Sequence, residues 1–232
     1  MKAGIIAAGE GSRLKAEGIT VPKPLVCVDG VPLIERLLRT FVRNDITEII
    51  CIVNEQSVEV KEFIGELDIP VPVRCIVKST PSSMHSLFAL APYLEGHRFL
   101  LSTVDSIYAD DDFRKYIAYG REQIAADGIL ALTKFIDDDR PLFADLHDDG
   151  SIRKLTSEER LPWATGGLYI FSPRIFSEMD SVLSLHIERL RNFLGYLIAQ
   201  KYRIEGFPFS KIVDVDRLRD VRIAEEFLRG EQ

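Results

Sequence analysis

Several things are scarce in this 232-residue chain, and each scarcity removes a class of chemistry. There are three cysteines, Cys27, Cys51 and Cys75, each within an apolar segment and none at metal-ligand spacing. They read as reduced core thiols of a cytoplasmic protein, not as a disulfide framework or a zinc site. The four histidines are dispersed and none adjoins a candidate nucleophile, which speaks against a catalytic histidine. The single tryptophan, Trp163, reads as core or pocket wall. Positive charge is in deficit: 29 Lys and Arg against 36 Asp and Glu give a net charge of -7, whereas general nucleic-acid binding calls for a basic face. No apolar run approaches the roughly 20 residues that cross a bilayer, and no charged leader precedes an apolar segment at the start. No membrane and no nucleic-acid partner is therefore expected. Repeats, low-complexity runs and Gly/Ser/Pro linkers are also missing, so residues 1–232 are expected to form one domain.

The most informative stretch is the first twenty-five residues. Ala3 to Ala8 is a short apolar run that reads as a buried strand. It breaks into Gly9-Glu10-Gly11-Ser12-Arg13, and no helix is expected before about Leu33. A long connection after a first strand is unusual in a compact domain unless it is functional. Glycines let backbone N–H groups turn toward a ligand, which suits phosphate oxygens, and Arg13, Lys15 and Lys23 add positive charge nearby. The stretch reads as a triphosphate-binding loop.

Downstream, apolar residues recur at helical spacing over Leu33–Val42, and Ile46–Val53 reads as a buried strand. Ser57 is placed to cap a helix to about Leu67, and Val71–Val77 reads as a third strand. A helix follows from Ser79–Leu90, then a strand from Arg98 that ends at Asp105. The alternation predicts a parallel sheet with helices on both faces. Asp111–Ala126 is predicted as a helix and Gly128–Phe135 as a strand. The pattern then changes to a hairpin, Leu142–His147 and Ser151–Leu155 around Asp148-Asp149-Gly150. A strand at Trp163–Phe171, a short helix opened by Ser172-Pro173, a helix at Ile187–Gln200, short strands at Arg203–Phe207 and Ile212-Val213, and a last helix at Arg217–Leu228 complete the expectation. The fold class is α/β: a single Rossmann-like domain with a mostly parallel mixed sheet and a small β insertion in the second half. Residues 1–105 would bind nucleotide and 106–232 the acceptor. The Asp137-Asp138-Asp139 run reads as a solvated loop.

A P-loop needs Gly-x4-Gly-Lys-[Ser/Thr], which is absent, and a dinucleotide fingerprint needs a third glycine where Leu14 stands. An NAD-linked oxidoreductase is thereby disfavoured. What the residues do match is a family. Ala7-Ala8-Gly9-Glu10-Gly11-Ser12-Arg13-Leu14, followed by Pro22-Lys23-Pro24-Leu25, resembles the signature of the nucleotidyltransferases that activate sugar 1-phosphates and phosphorylated alcohols. The resemblance implies that Ala7, Ala8, Gly9, Gly11 and Ser12 wrap the nucleotide, with Arg13 on its β- and γ-phosphates and Lys23 near the α-phosphate and the attacking phosphate. It implies Mg²⁺ on Asp105 and on Asp214, with Asp216 as helix N-cap or as the alternative ligand. Val104 stands where the family usually has glycine. Ser79–Leu87 resembles the Thr-Asn-Asn-x-x-Ser-Leu element of the phosphocholine cytidylyltransferase-like branch, with Ser82 and Ser83 replacing the asparagines as base contacts. Thr165-Gly166-Gly167 resembles the acceptor-side strand, without the Glu-Lys-Pro element that often precedes it.

Physical chemistry points the same way. Attack by one phosphate on another joins two strongly anionic partners, so it needs positioning and cationic charge more than a covalent nucleophile. The expected partners are a nucleoside triphosphate, CTP or UTP, and a sugar phosphate or phosphorylated small alcohol. The alternative is a nucleotide-binding regulatory module without turnover.

Overall fold

The structure is a computed structural model that describes residues 1–230. Strand β1 (Lys2–Ala7) runs into the glycine loop, a short helix α1 (Ser12–Ala16), a 3-10 turn at Lys23–Leu25 and a small hairpin of β2 (Cys27–Val28) and β3 (Val31–Pro32). The expected alternation follows as α2 (Leu33–Arg43), β4 (Glu48–Val53), α3 (Val58–Glu66), β5 (Val73–Val77), α4 (Ser83–Leu94) and β6 (Phe99–Thr103). The second half comprises β7 (Ser106–Tyr108), α5 (Asp110–Glu122), β8 (Gly128–Thr133), β9 (Phe143–Leu146), β10 (Ile152–Thr156) and β11 (Trp163–Phe171). A 3-10 turn at Pro173–Glu178 then leads to α6 (Met179–Ser184), α7 (Leu190–Ala199), β12 (Ile204–Phe209), β13 (Ile212–Asp214) and α8 (Leu218–Gly230).

Across the main sheet the strands run β5-β4-β1-β6-β11-β8-β12, and β9-β10 hooks onto the start of β11. β5, β4, β1 and β6 are mutually parallel, whereas β11 is antiparallel to both β6 and β8. The fold is thus one α/β domain on a mostly parallel mixed sheet. Side chains alternate between two apolar layers, as strand geometry requires. Ile49, Cys51 and Val53 of β4 enter the layer with α2, α5 and α8, while Ile50 and Ile52 enter the layer with α4 and α7. Each fully buried Leu or Ile contributes about 1.5–3 kcal/mol, so both faces need their helices.

Four local expectations are corrected. A helix does precede Leu33: Gly11 takes φ 61, which lets the chain turn directly into α1. Cys27 is exposed, because β2 lies in the small hairpin outside the main sheet; only Cys51 is fully buried. Ser57 and Ser82 stand at helix N-caps, but neither side chain makes a capping bond. Ser172, by contrast, accepts from the Arg174 N–H before the Pro173 turn, as expected. The last of the four concerns α7, which begins at Leu190, three residues later than predicted; the segment before it folds toward Ser82, whose hydroxyl donates to the Glu188 carbonyl. Among the described residues no helix is long and apolar enough to cross a membrane.

Candidate active site

The parallel strands β1 and β6 are neighbours, so their carboxyl ends open on the same edge of the sheet. β1 delivers the glycine loop there, and β6 delivers Asp105. β13 pairs antiparallel with β7, setting Asp214 opposite Ser106. Three segments distant in sequence therefore converge.

Their side chains form one charged cluster. The Lys23 ammonium donates to Asp105 Oδ2 at 2.5 Å and to Asp216 Oδ1 at 2.6 Å. Arg13 donates to the other Asp216 oxygen at 2.5 Å. Lys23 is only 8% exposed, held in the 3-10 turn between Pro22 and Pro24. A Cβ on Gly11 would lie 3.0 Å from Lys23 Cβ, so the two halves of the sequence signature touch. Burial pulls the Lys23 ammonium down, but Asp105 and Asp216 outweigh it and hold it above the ordinary lysine range. Burial pushes Asp105 up and Lys23 outweighs that too, leaving it below the usual carboxylate range.

Asp214 differs. It accepts a hydrogen bond from Ser106 Oγ at 2.9 Å but has no cation partner within ion-pair distance among the described residues. Burial and then the Asp105 charge push it up to about 7. A buried carboxylate whose proton affinity is raised by a second carboxylate beside it at a strand edge is part of a donor set that a divalent cation would relieve. Among the described residues no group of three or more His, Cys, Asp and Glu side chains is arranged to hold a metal. The donor set is therefore two carboxylates at most, which fits Mg²⁺, an ion that keeps waters and takes phosphate oxygens for its remaining positions.

Asp216 is not the helix cap. The N–H groups of Asp216 and Arg217 both donate to Asp220 Oδ2, leaving the Asp216 carboxylate to Arg13 and Lys23. Sequence reading missed this bridge, although the alternation Ile212-Val-Asp214-Val-Asp216 puts both aspartates on one side of an extended chain.

Ala8, Gly9, Ser82 and Ser83 line one cavity of about 380 Å³, together with Asn54 and Ser79. Ala7 is buried within β1, and Ser12 is exposed at the start of α1. The Ser82 hydroxyl is occupied by Glu188 and His85 Nδ1, whereas Ser83 is the freer of the two. A neighbouring cavity of about 440 Å³ shares Ser82 and Ser83 and is lined by Arg13, Arg140, Arg189, Arg191 and Asp216. Those three further arginines had no signature in the sequence.

Thr165 and Gly166 line a cavity of only about 30 Å³ with Asp138 and Asp214, room for a water rather than a sugar phosphate. A Cβ on Gly166 would overlap Ile212, and one on Gly167 would overlap Thr103 and Ser106. Both glycines let β7 and β13 pack on β11. The Asp137-Asp138-Asp139 run is not simply solvated, because Asp139 pairs with Arg217 at 2.7 Å, Asp137 with Arg219 at 3.6 Å and Asp138 with Arg13 at 3.9 Å. Those pairs hold the segment beside the small cavity at Thr165 and Gly166.

The fold has known counterparts. The inositol-1-phosphate CTP transferase from T. maritima superposes with a TM-score of 0.82 at 19% identity, covering 99% of this chain and 96% of that one. Among curated sequences, the chain is 28% identical over 189 residues to the glucose-1-phosphate thymidylyltransferase of Streptomyces antibioticus, covering 78% of this chain and 52% of the relative. It is 30% identical over 246 residues to the bifunctional IPC transferase and DIPP synthase of Rubrobacter xylanophilus, covering 98% and 52%. The chain thus spans about half the length of these curated relatives. The MobA-like NTP transferase domain matches residues 3–194, which carry the glycine loop, Lys23 and Asp105, and the chain belongs to that family.

Proposed function

We propose that the chain transfers a nucleotidyl group from a nucleoside triphosphate to the phosphate of a sugar phosphate or phosphorylated small alcohol, with release of pyrophosphate. The observation that carries this reading is the single anionic position bonded at once by Arg13 and Lys23, held here by Asp216. A triphosphate brings oxygens that suit the same two donors. Arg13 would hold the β- and γ-phosphates and carry the charge that accumulates on the leaving pyrophosphate. Lys23 would bridge the α-phosphate and the attacking phosphate. The attacking oxygen already carries negative charge, so no general base is needed, and the absence of a histidine from the cluster is no obstacle.

Asp105 and Asp214 would hold Mg²⁺, which when bound supplies Lewis-acid polarisation and charge neutralisation at the phosphates. The segment 137–139 would have to swing off Arg13, Arg217 and Arg219 for an acceptor to reach Thr165 and Gly166. CTP or UTP is the favoured donor. The cavity at Ala8, Gly9 and Ser83 would take the base, and two similar proteins are named for CTP and thymidylyl transfer.

The test is pyrophosphate release from each NTP with a panel of phosphorylated acceptors and Mg²⁺. Release with at least one pyrimidine nucleotide is expected; no release with any pair, together with nucleotide binding that ignores Asp105, would instead leave the regulatory module. Asp214→Asn should fold with unchanged or slightly raised stability, because it removes a charge that Asp105 opposes. Its turnover should fall by about a hundredfold or more, with a higher Mg²⁺ requirement in the rate titration.

A further inference from the structure

A cavity of about 430 Å³ lies apart from the charged cluster, between α2, β7 and the start of α5, with Leu228 of α8 at its edge. Leu33, Leu37, Ile107 and Leu228 make its apolar wall. Its rim carboxylates are all engaged: Asp110 with Arg43 at 2.8 Å, Asp29 with Arg229 at 3.3 Å, and Asp111 with Arg114. Among the described residues Arg36 is left without a carboxylate within ion-pair distance. One of its terminal nitrogens donates to the Val28 carbonyl at 2.6 Å, while its buried Nε has no acceptor among the described residues.

Tyr108 presents a second such group. Tyr108 lines the same cavity, the residue is 7% exposed, and its buried hydroxyl has no partner among the described residues. The ring is stacked on Phe113 with centroids 5.1 Å apart and meets Phe209 edge-on at 5.9 Å, so the hydroxyl cannot easily swing elsewhere. Leaving a buried donor unsatisfied costs about 1–3 kcal/mol, and proteins seldom leave two beside one cavity without a use. The guanidinium can only donate and the hydroxyl can donate, so a ligand that accepts would satisfy both. A guanidinium edge suits a carboxylate or phosphate.

We propose that this cavity binds a small organic anion, its carboxylate or phosphate on Arg36 and Tyr108 and its apolar body against Leu33, Leu37 and Leu228. Burial, and then Asp110, push the Tyr108 hydroxyl well above its ordinary value, so it stays a neutral donor at physiological pH. Ser106 also lines this cavity and donates to Asp214, so the two sites share one residue. The proposal does not depend on the reaction assigned to the other site.

Phenyl phosphate, an apolar ring with one phosphate, is a suitable probe for calorimetric titration of the full chain and three variants. Wild type should bind saturably, and Lys23→Gln, altered at the other site, should retain that binding. Arg36→Gln should weaken it about tenfold or more, the usual scale for a charged hydrogen bond. Tyr108→Phe removes a hydroxyl that makes no bond, so its thermal midpoint should be unchanged or raised while phenyl phosphate binds several-fold more weakly. The inference is overturned by any of three results: no saturable binding to wild type, undiminished binding in Tyr108→Phe, or a loss confined to Lys23→Gln.

Discussion

Replacing Lys23 by methionine should cost about 10²–10³ in turnover, the scale on which a positioned charge stabilises a transition state. The side chain is nearly the same length and Lys23 is almost fully buried, so the turn between Pro22 and Pro24 should persist. The loss is electrostatic. Asp105 and Asp216 would face each other without the ammonium that bonds both, with Asp214 close by. Breaking a fully buried pair costs about 3–5 kcal/mol; here both carboxylates keep some contact with water, so about 1–3 kcal/mol is expected. The penalty has a definite pH dependence. In the native chain Asp105 titrates below the ordinary aspartate range, so its stabilisation is present above about pH 4 and is lost as pH falls through the lowered value. Urea unfolding of native and Lys23→Met chains should therefore differ most near neutrality and converge in acid. A gap that is constant across pH would mean that Lys23 acts through packing alone.

The second large effect is expected at Gly167, where Gly167→Ala should destabilise the chain by about 2–5 kcal/mol. Two costs add. The backbone has φ 71, where a Cβ costs about 1–2 kcal/mol. That Cβ would also lie 2.5 Å from Ser106 Oγ and overlap Thr103, and overpacking a core costs about 1–3 kcal/mol. Relief would push Ser106 away from β11 and loosen its bond to Asp214, so activity should fall in the variant even where it remains folded. Gly195→Ala is the control: a Cβ there meets nothing within 4 Å, and alanine favours its helix by up to about 1 kcal/mol. Equal denaturation midpoints for Gly167→Ala and Gly195→Ala would contradict this account.

The alternation of apolar strands and amphipathic helices made the first half of the fold legible, because period 2 and period 3.6 differ plainly over six to twelve residues. Short elements were not. α1 has five residues and β7 three, too few to show a period, and both depend on what packs against them. The candidate site divided in the same way. Arg13, Lys23 and Asp105 sit in or beside local motifs, and the structure brings them into one cluster. The bridging role of Asp216 was hidden, because only β13 pairing with β7 carries it to the glycine loop. Arg140 comes from one segment and Arg189 and Arg191 from another, and the two meet only when the segment before α7 folds against Ser82. Thr165-Gly166-Gly167 was legible as an unusual strand, yet its small residues answer first to Ile212, Thr103 and Ser106.

The most direct measurement follows the label from the nucleotide. CTP or UTP labelled at the α-phosphate, and separately at the γ-phosphate, is incubated with the chain, Mg²⁺ and phosphorylated acceptors. Attack at the α-phosphorus predicts that the α-label appears in the acceptor product and the γ-label in pyrophosphate, both lost in Lys23→Met. Transfer of the γ-label to an acceptor, or its release only as inorganic phosphate, would contradict the account.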